Sequence, residues 1–458
     1  MSATCGDDRD IERVKLEGRG VVGKSGNWSR RKFAMMAASV SLSRSLLALR
    51  PGAPVAPKVS VRGPDSLRAH GAAVDLPVGC AAVPELLELT GERAGEQAGE
   101  RAGEGHDPYT RTVIEQAGIL VAENSMKWSR LRPTPTTFDF APADKLFEFA
   151  GRYGQLVRGH NLCWHEQLPP WFATTATKEN AESLLVQHIQ AVAGRYAGRV
   201  HSWDVVNEAI HVPDGRSDGL RKSPWLALLG PEYIELAFTT AAKADPQAKL
   251  TYNDYDIELD TEEHVAKRAQ VLLLVRRLHA RGIPIQAVGI QSHLQASGPR
   301  PGAGVLSLIR EAAKMGLEVY ITEMDVNSHA LPGSADLQDA AVADVYKQYL
   351  NLVLPEPNVK ALLTWGISDA HTWLNQSKQP WALRSDGARQ RPLPFDDSYE
   401  PTPAFFAMRG AVDSARRPLA PADIMAPEKD SKDLYAPFAV PGSPGVAAPP
   451  ALPASVVE

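Results

Sequence analysis

Cysteine is scarce, with three in 458 residues: Cys5, Cys80 and Cys163. Three thiols cannot build a disulfide framework, and no CxxC pair exists to hold a metal. Cys80 and Cys163 read as small buried apolar residues. Spacing alone neither requires nor forbids a bond between them. Basic residues are not in excess either. The 49 Lys and Arg stand against 54 Asp and Glu, for a net charge of -5. Without a clustered positive surface, nucleic acid is not an expected partner. No apolar run is long enough to cross a membrane, so no membrane anchor is expected. A glycine-rich phosphate loop is missing, which disfavours an open doubly wound nucleotide-binding sheet. No HxH or HExxH pair occurs, although His160, His165, His201 and His293 are numerous enough for a metal-dependent barrel hydrolase to be considered. No metal and no cofactor is expected.

Aromatics and punctuation are present in quantity. Nine Trp and eleven Tyr suit a carbohydrate cleft, because flat rings stack on the apolar faces of sugars. Residues 1–50 read as an N-terminal extension. Ser29-Arg30-Arg31-Lys32-Phe33 precedes a short, mildly apolar run from Ala34 to Leu42, which Arg44 then breaks. A twin arginine before such a run resembles an export signal, so a periplasmic or secreted location by the twin-arginine route is expected. Residues 51–64 are rich in Pro and Gly and read as a linker. Residues 91–105 repeat GERA-like units and read as a low-complexity loop insertion. Residues 415–458, dominated by Pro and Ala, read as a disordered tail.

Between residues 65 and 414 one unit recurs: a short apolar run that ends in polar or aromatic residues, then an amphipathic segment. The runs are Val78–Ala82, Ile119–Val121, Leu156–Gly159, Ser202–Val206, Lys249–Tyr252, Ala287–Ile290, Val319–Thr322 and Ala361–Thr364. Helical stripes are read at Leu185, Ile189, Val192 and Tyr196, and at Val265, Ala269, Leu272 and Val275. Gly118, Gly154, Gly282 and Gly316 read as helix stops before strands. Eight such units predict an α/β fold, a (β/α)8 TIM barrel.

In such a barrel the site lies at the C-terminal ends of the strands. Those ends carry Glu123, Asn124 and Lys127; His160 and Trp164; Asn207 and Glu208; Asn253 and Tyr255; Gln291 and His293; Glu323 and Asp325; then Trp365 and Trp373. Amides, carboxylates and indoles converging on one mouth suit a neutral polyol. Glu208 and Glu323 end the fourth and seventh predicted strands, on opposite sides of the mouth. Two carboxyls about 5–5.5 Å apart can cleave a glycosidic bond with retention. Asp204 reads as a buried, paired structural acid. His165, His201, Trp171, Trp203 and Trp225 read as structural.

Seven motifs carry a closer likeness: ENSMKW from Glu123, RGHNLCWH from Arg158, WDVVNE from Trp203, YNDYDIE from Tyr252, GIQSHL from Gly289, ITEMD from Ile321 and TWG from Thr364. Together, and in order from about Leu67 to about Met408, they resemble glycoside hydrolase family 10, the retaining endo-1,4-β-xylanases. That resemblance implies Glu208 as acid/base and Glu323 as nucleophile. It implies Asn207 on the sugar 2-OH, and His293 with Asp325 orienting the nucleophile. Glu123, Asn124 and Lys127 would bind the non-reducing-side sugar. His160, Trp164, Gln291, Trp365 and Trp373 would line the cleaved sugar, and Asn253 and Tyr255 would contact the leaving group. The expected partner is xylan or a xylo-oligosaccharide, acted on by a monomer. A β-1,4-glucanase on a related barrel is the alternative. Ser125 and Ser129 stand where the family usually has acids. Physically, a negative Glu323 nearby favours a protonated Glu208, and glycosylation of Glu323 removes that charge so Glu208 can then act as a base.

Overall fold

The computed structural model describes residues 60–89 and 105–415. The twin-arginine segment, most of the expected linker, nearly all of the GERA-type insertion and the C-terminal tail lie outside the described residues. Among the described residues nine strands run β1 Val78–Ala82, β2 Ile119–Ala122, β3 Leu156–Cys163, β4 Ser202–Asn207, β5 Lys249–Asp254, β6 Ala287–Ile290, β7 His293–Gln295, β8 Glu318–Asn327 and β9 Val359–Thr364. All pairings between these strands are parallel. Neighbours follow in the order β1 to β6, then β8 and β9, and β9 pairs back with β1. The closed ring therefore has eight strands, as the (β/α)8 reading predicts. The short β7 lies outside it, paired with β8 through His293 to Asp325 and Gln295 to Asn327.

The strands are buried on both faces, which is why they read as apolar runs rather than alternating ones: β1, β2 and β6 have no exposed residue. Inside the ring, Ala81, Ile119, Val121, Ala287, Tyr320, Ala361, Leu363 and Trp365 pack together. The larger core lies between strands and helices. Gly159 shows how closely one pair must approach. A Cβ there would sit 2.0 Å from the Trp203 ring, which crosses Gly159 on the neighbouring strand.

Several elements differ from the sequence expectation. β3 continues to Cys163, β5 to Asp254 and β8 to Asn327, so the polar residues expected just past the strands belong to them. Polar residues end the apolar run and hence the sequence signal. The backbone continues because a neighbouring strand still pairs with it. Gly154, Gly282 and Gly316 adopt left-handed φ of 60°, 67° and 72°. Gly118 does not, and its N–H already pairs with the Val78 carbonyl. The stripe read in Glu262–Ala280 is also wrong, since Val265 is exposed and the buried face is Lys267, Arg268, Val271, Leu274, Val275 and Leu278. Lys267 and Arg268 turn inward because Asp254 and Asp260 meet them, and an apolar-periodicity reading cannot register a buried ion pair. The last residues of the expected linker pack on the barrel: Gln116 donates to the Val61 carbonyl and Arg409 to that of Ser60. Cys80 and Cys163 are buried and free. No helix among the described residues is long and apolar enough to cross a membrane.

Candidate active site

Glu208 follows β4 with a left-handed φ of 58°. A non-glycine residue there costs roughly 1–3 kcal/mol and persists only where its surroundings hold it. Here they do: its N–H donates to the Asn253 carbonyl at 2.9 Å, and its own carbonyl accepts from Arg221 Nε at 2.8 Å. The side chain meets three donors. Trp164 Nε1 reaches Oε2 at 2.8 Å, while Asn207 Nδ2 at 3.0 Å and Gln291 Nε2 at 2.9 Å reach Oε1.

Glu323 lies within β8 and is 5% exposed. Its Oε1 accepts from Asn253 Nδ2 at 2.7 Å, and its Oε2 faces His293 Nε2 at 3.4 Å. Asn253 Nδ2 also donates to Asn207 Oδ1 at 2.9 Å, so a chain of two amides joins the two carboxylates. Gly289 makes room for this bridge, because a Cβ there would sit 2.1 Å from Asn253 Oδ1.

Burial alone would push the Glu323 carboxyl up. The hydrogen bond from His293 and the positive fields of His160, His293 and Lys127 outweigh it and hold the group down at about 2. His293 shows the converse balance. Burial pulls it down, but Asp325 Oδ1, 2.9 Å from Nδ1, and Glu323 hold it charged, well above the ordinary histidine value. Trp373 Nε1 donates to the other Asp325 oxygen at 2.6 Å. The stability signs are opposite. His293 contributes fully below about pH 6.5, and the contribution is lost as pH rises through its raised folded value. Glu323 contributes above about pH 4.3, and that is lost as pH falls toward 2. Asp325→Asn removes the charge that holds His293. Its imidazole should then titrate much closer to pH 6.5 by NMR, with kcat lowered about a hundred-fold by the loosened Glu323. An unmoved His293 titration would contradict the arrangement.

On the β2 side, Lys127 is 5% exposed and donates to Asn124 Oδ1 at 2.9 Å. Its ammonium lies 5.1 Å from the Trp164 ring and 5.6 Å from that of Trp365. Burial lowers its proton affinity, partly offset by Glu323, Glu123 and Glu208. Burial likewise raises Glu123, against Lys127 and Asn124. His160 Nδ1 bonds Asp204 at 3.0 Å and lies 3.9 Å from Glu323, and Trp365 packs edge-on against its ring.

The strand ends thus bring together the residues expected to act or bind at the mouth, but not all in the expected place; His201 precedes β4 and packs on Tyr320 instead. Asn253 is a correction. It is fully buried, both its N–H groups are engaged, and its carbonyl oxygen accepts from Thr322 at 2.8 Å. It has no donor left for a leaving group and instead positions the carboxylates. Gln291 is 2% exposed and aims its amide at Glu208. Tyr255 stands at the rim, its hydroxyl accepting from Arg221 Nη2 at 2.8 Å with Lys267 over its ring.

Asp204 is buried and paired with Arg158 and His160. His165, read as structural, lies with Nδ1 3.9 Å from Glu208 Oε2. Arg221 escaped sequence reading altogether: it is a loop residue whose local pattern carries no sign of the strand end it grips. Donor atoms of His160, Asp204 and Glu323 converge within 4.8 Å, as metal ligands would. They do not suit a cation, because Arg158 already neutralises Asp204 and Lys127 and His293 add positive charge around Glu323.

The family profile described as Glycosyl hydrolase family 10 matches residues 84–411. A β-1,4-xylanase of Dictyoglomus thermophilum is 37% identical over 297 residues, covering 63% of this chain and 80% of that protein. Endo-1,4-β-xylanase B of Thermotoga neapolitana is 36% identical over 304 residues, covering 66% and 83%. Among solved structures, xylanase 10B of Thermotoga petrophila RKU-1 in complex with xylobiose superposes with a TM-score of 0.64 at 33% identity, covering 77% of this chain and 98% of that one. The chain belongs to glycosyl hydrolase family 10 and is a glycoside hydrolase.

Proposed function

We propose that this protein is a retaining endo-1,4-β-xylanase with Glu323 as nucleophile and Glu208 as acid/base. The observation that carries the reading is the asymmetric carboxylate pair. One member is buried and held ionised by a charged histidine. The other is partly exposed, its side chain 12% accessible against 6% for Glu323, which leaves it the one that a leaving group and then water can reach. In the first step a Glu323 oxygen attacks the anomeric carbon as the C1–O bond breaks, and Glu208 gives its proton to the departing oxygen. Glu208 Oε1 takes two amide donors and Oε2 one, so Oε2 is the oxygen free to carry that proton. In the second step Glu208 removes a proton from water, which attacks C1 and releases Glu323. Two inversions give net retention.

Asn207 uses one N–H on Glu208 and keeps the other for the 2-OH of the reacting sugar. Lys127 and Asn124 supply donor and acceptor to the adjoining sugar, between indoles that stack on its ring. The xylanase names of the similar proteins support xylan as substrate. Digestion of xylan beside a soluble cellulose, followed by NMR from the first turnover, tests the whole reading. β-configured xylo-oligomers from xylan alone are expected. Products that appear first as α anomers would refute the mechanism, and preferential attack on cellulose would replace the substrate.

A further inference from the structure

Strand β8 carries polar residues at alternate positions: Glu323, Asp325 and Asn327. The first two serve the reacting centre. Asn327, 5% exposed, turns its amide on another segment and donates to the Trp381 carbonyl at 2.9 Å. The residues after Trp381 are clamped in the same way. Gln390 Nε2 donates to the Ala382 carbonyl at 2.6 Å, and Gln390 Oε1 accepts from the Ser328 N–H at 2.7 Å. Arg384 donates to the Ser328 carbonyl at 3.1 Å. Asn327, Gln390 and Arg384 are all buried. Buried polar groups must each find a partner, so this clamp fixes the segment to the end of β8.

What the clamped segment presents is an indole that is 44% exposed. Its ring lies 5.3 Å from that of Trp373, inclined at 52°. Trp373 bonds Asp325 and lies 5.3 Å from the His293 ring. The exposed indole is therefore the outward continuation of the aromatic wall that begins at the nucleophile. The part of this large apolar ring that the buried polar anchors leave in water gains nothing from folding and is suited to a ligand with an apolar face.

We propose that Trp381 is a sugar-binding platform of the cleft, stacking on a xylosyl ring of the same chain beyond the one that Trp373 faces. This rests on the xylanase reading. The test compares kcat/KM for xylohexaose with kcat/KM for 4-nitrophenyl β-xyloside, which covers only the reacting position and a leaving group. In Trp381→Ala the ratio of the two should fall about ten-fold, carried by KM for the hexaose, and in Trp381→Phe most of the ratio should return. An unaltered ratio in Trp381→Ala would overturn the proposal, whether both substrates are unaffected or both suffer alike. Failure of the parent protein to cleave xylohexaose would count against the xylanase reading instead, and is visible before any variant is compared.

Discussion

Glu323→Ala should lower kcat/KM on xylan by about 10⁴-fold or more, some 5 kcal/mol of transition-state stabilisation. The side chain lost is the one held ionised at about 2 by His293, His160 and Lys127 despite its burial. Nothing nearby can replace it. Asp204 is bound to Arg158, Asp325 to His293 and Trp373. The cavity left is polar and positively charged, and it should admit a small anion. Azide should therefore restore turnover of an activated aryl xyloside and form the α-xylosyl azide, because it attacks from the face Glu323 has vacated. Rates with and without azide, and the anomeric proton signal of the product, decide the matter. A β-azide would move the nucleophile's role to another residue. Wild-type activity in the variant would remove the role altogether.

Glu208→Ala should show the complementary pattern. On xylan, whose leaving oxygen needs a proton, the loss should be roughly 10²–10⁴-fold. On a dinitrophenyl xyloside, whose leaving group departs without one, the first step should be nearly spared and the covalent intermediate should accumulate. Azide would then attack that intermediate from the opposite face and give the β-xylosyl azide. The pH–activity profile should also lose the limb that reports the acid. Equal losses on both substrates would contradict the assignment. Arg221 and Asn253, which hold Glu208 in its left-handed conformation, make this a change of chemistry rather than of fold, since their contacts run to the Glu208 backbone. Opposite azide anomers from the two variants would separate the two carboxylates by role.

The barrel was legible because all its strands are buried on both sides and so stand out as apolar runs. Val78–Ala82 and Ala287–Ile290 match their strands residue for residue. Where strands continue through polar residues, as β8 does from Glu323 to Asn327, the run stops early, and β7 with its pairing to β8 could not be anticipated. The helix Glu262–Ala280 misled for a related reason, because its inner face begins with a lysine and an arginine.

Residue types at the strand ends, together with their order along the chain, sufficed to bring Glu208, Glu323 and their neighbours to one mouth and to name the family. Short-range chemistry is enough for that, since a strand that ends in a carboxylate says so locally. Only the tertiary structure decided what each side chain touches. It turned Asn253 from a substrate contact into the amide that joins the two carboxylates, and it put Arg221 under Glu208. It set His293 between two acids and raised Trp381 on a buried clamp at the edge of the cleft. Arg221 folds back from the loop after its own strand; the other contacts join residues far apart in the chain, brought together where separate βα units pack side by side, and no local pattern can encode such a partner.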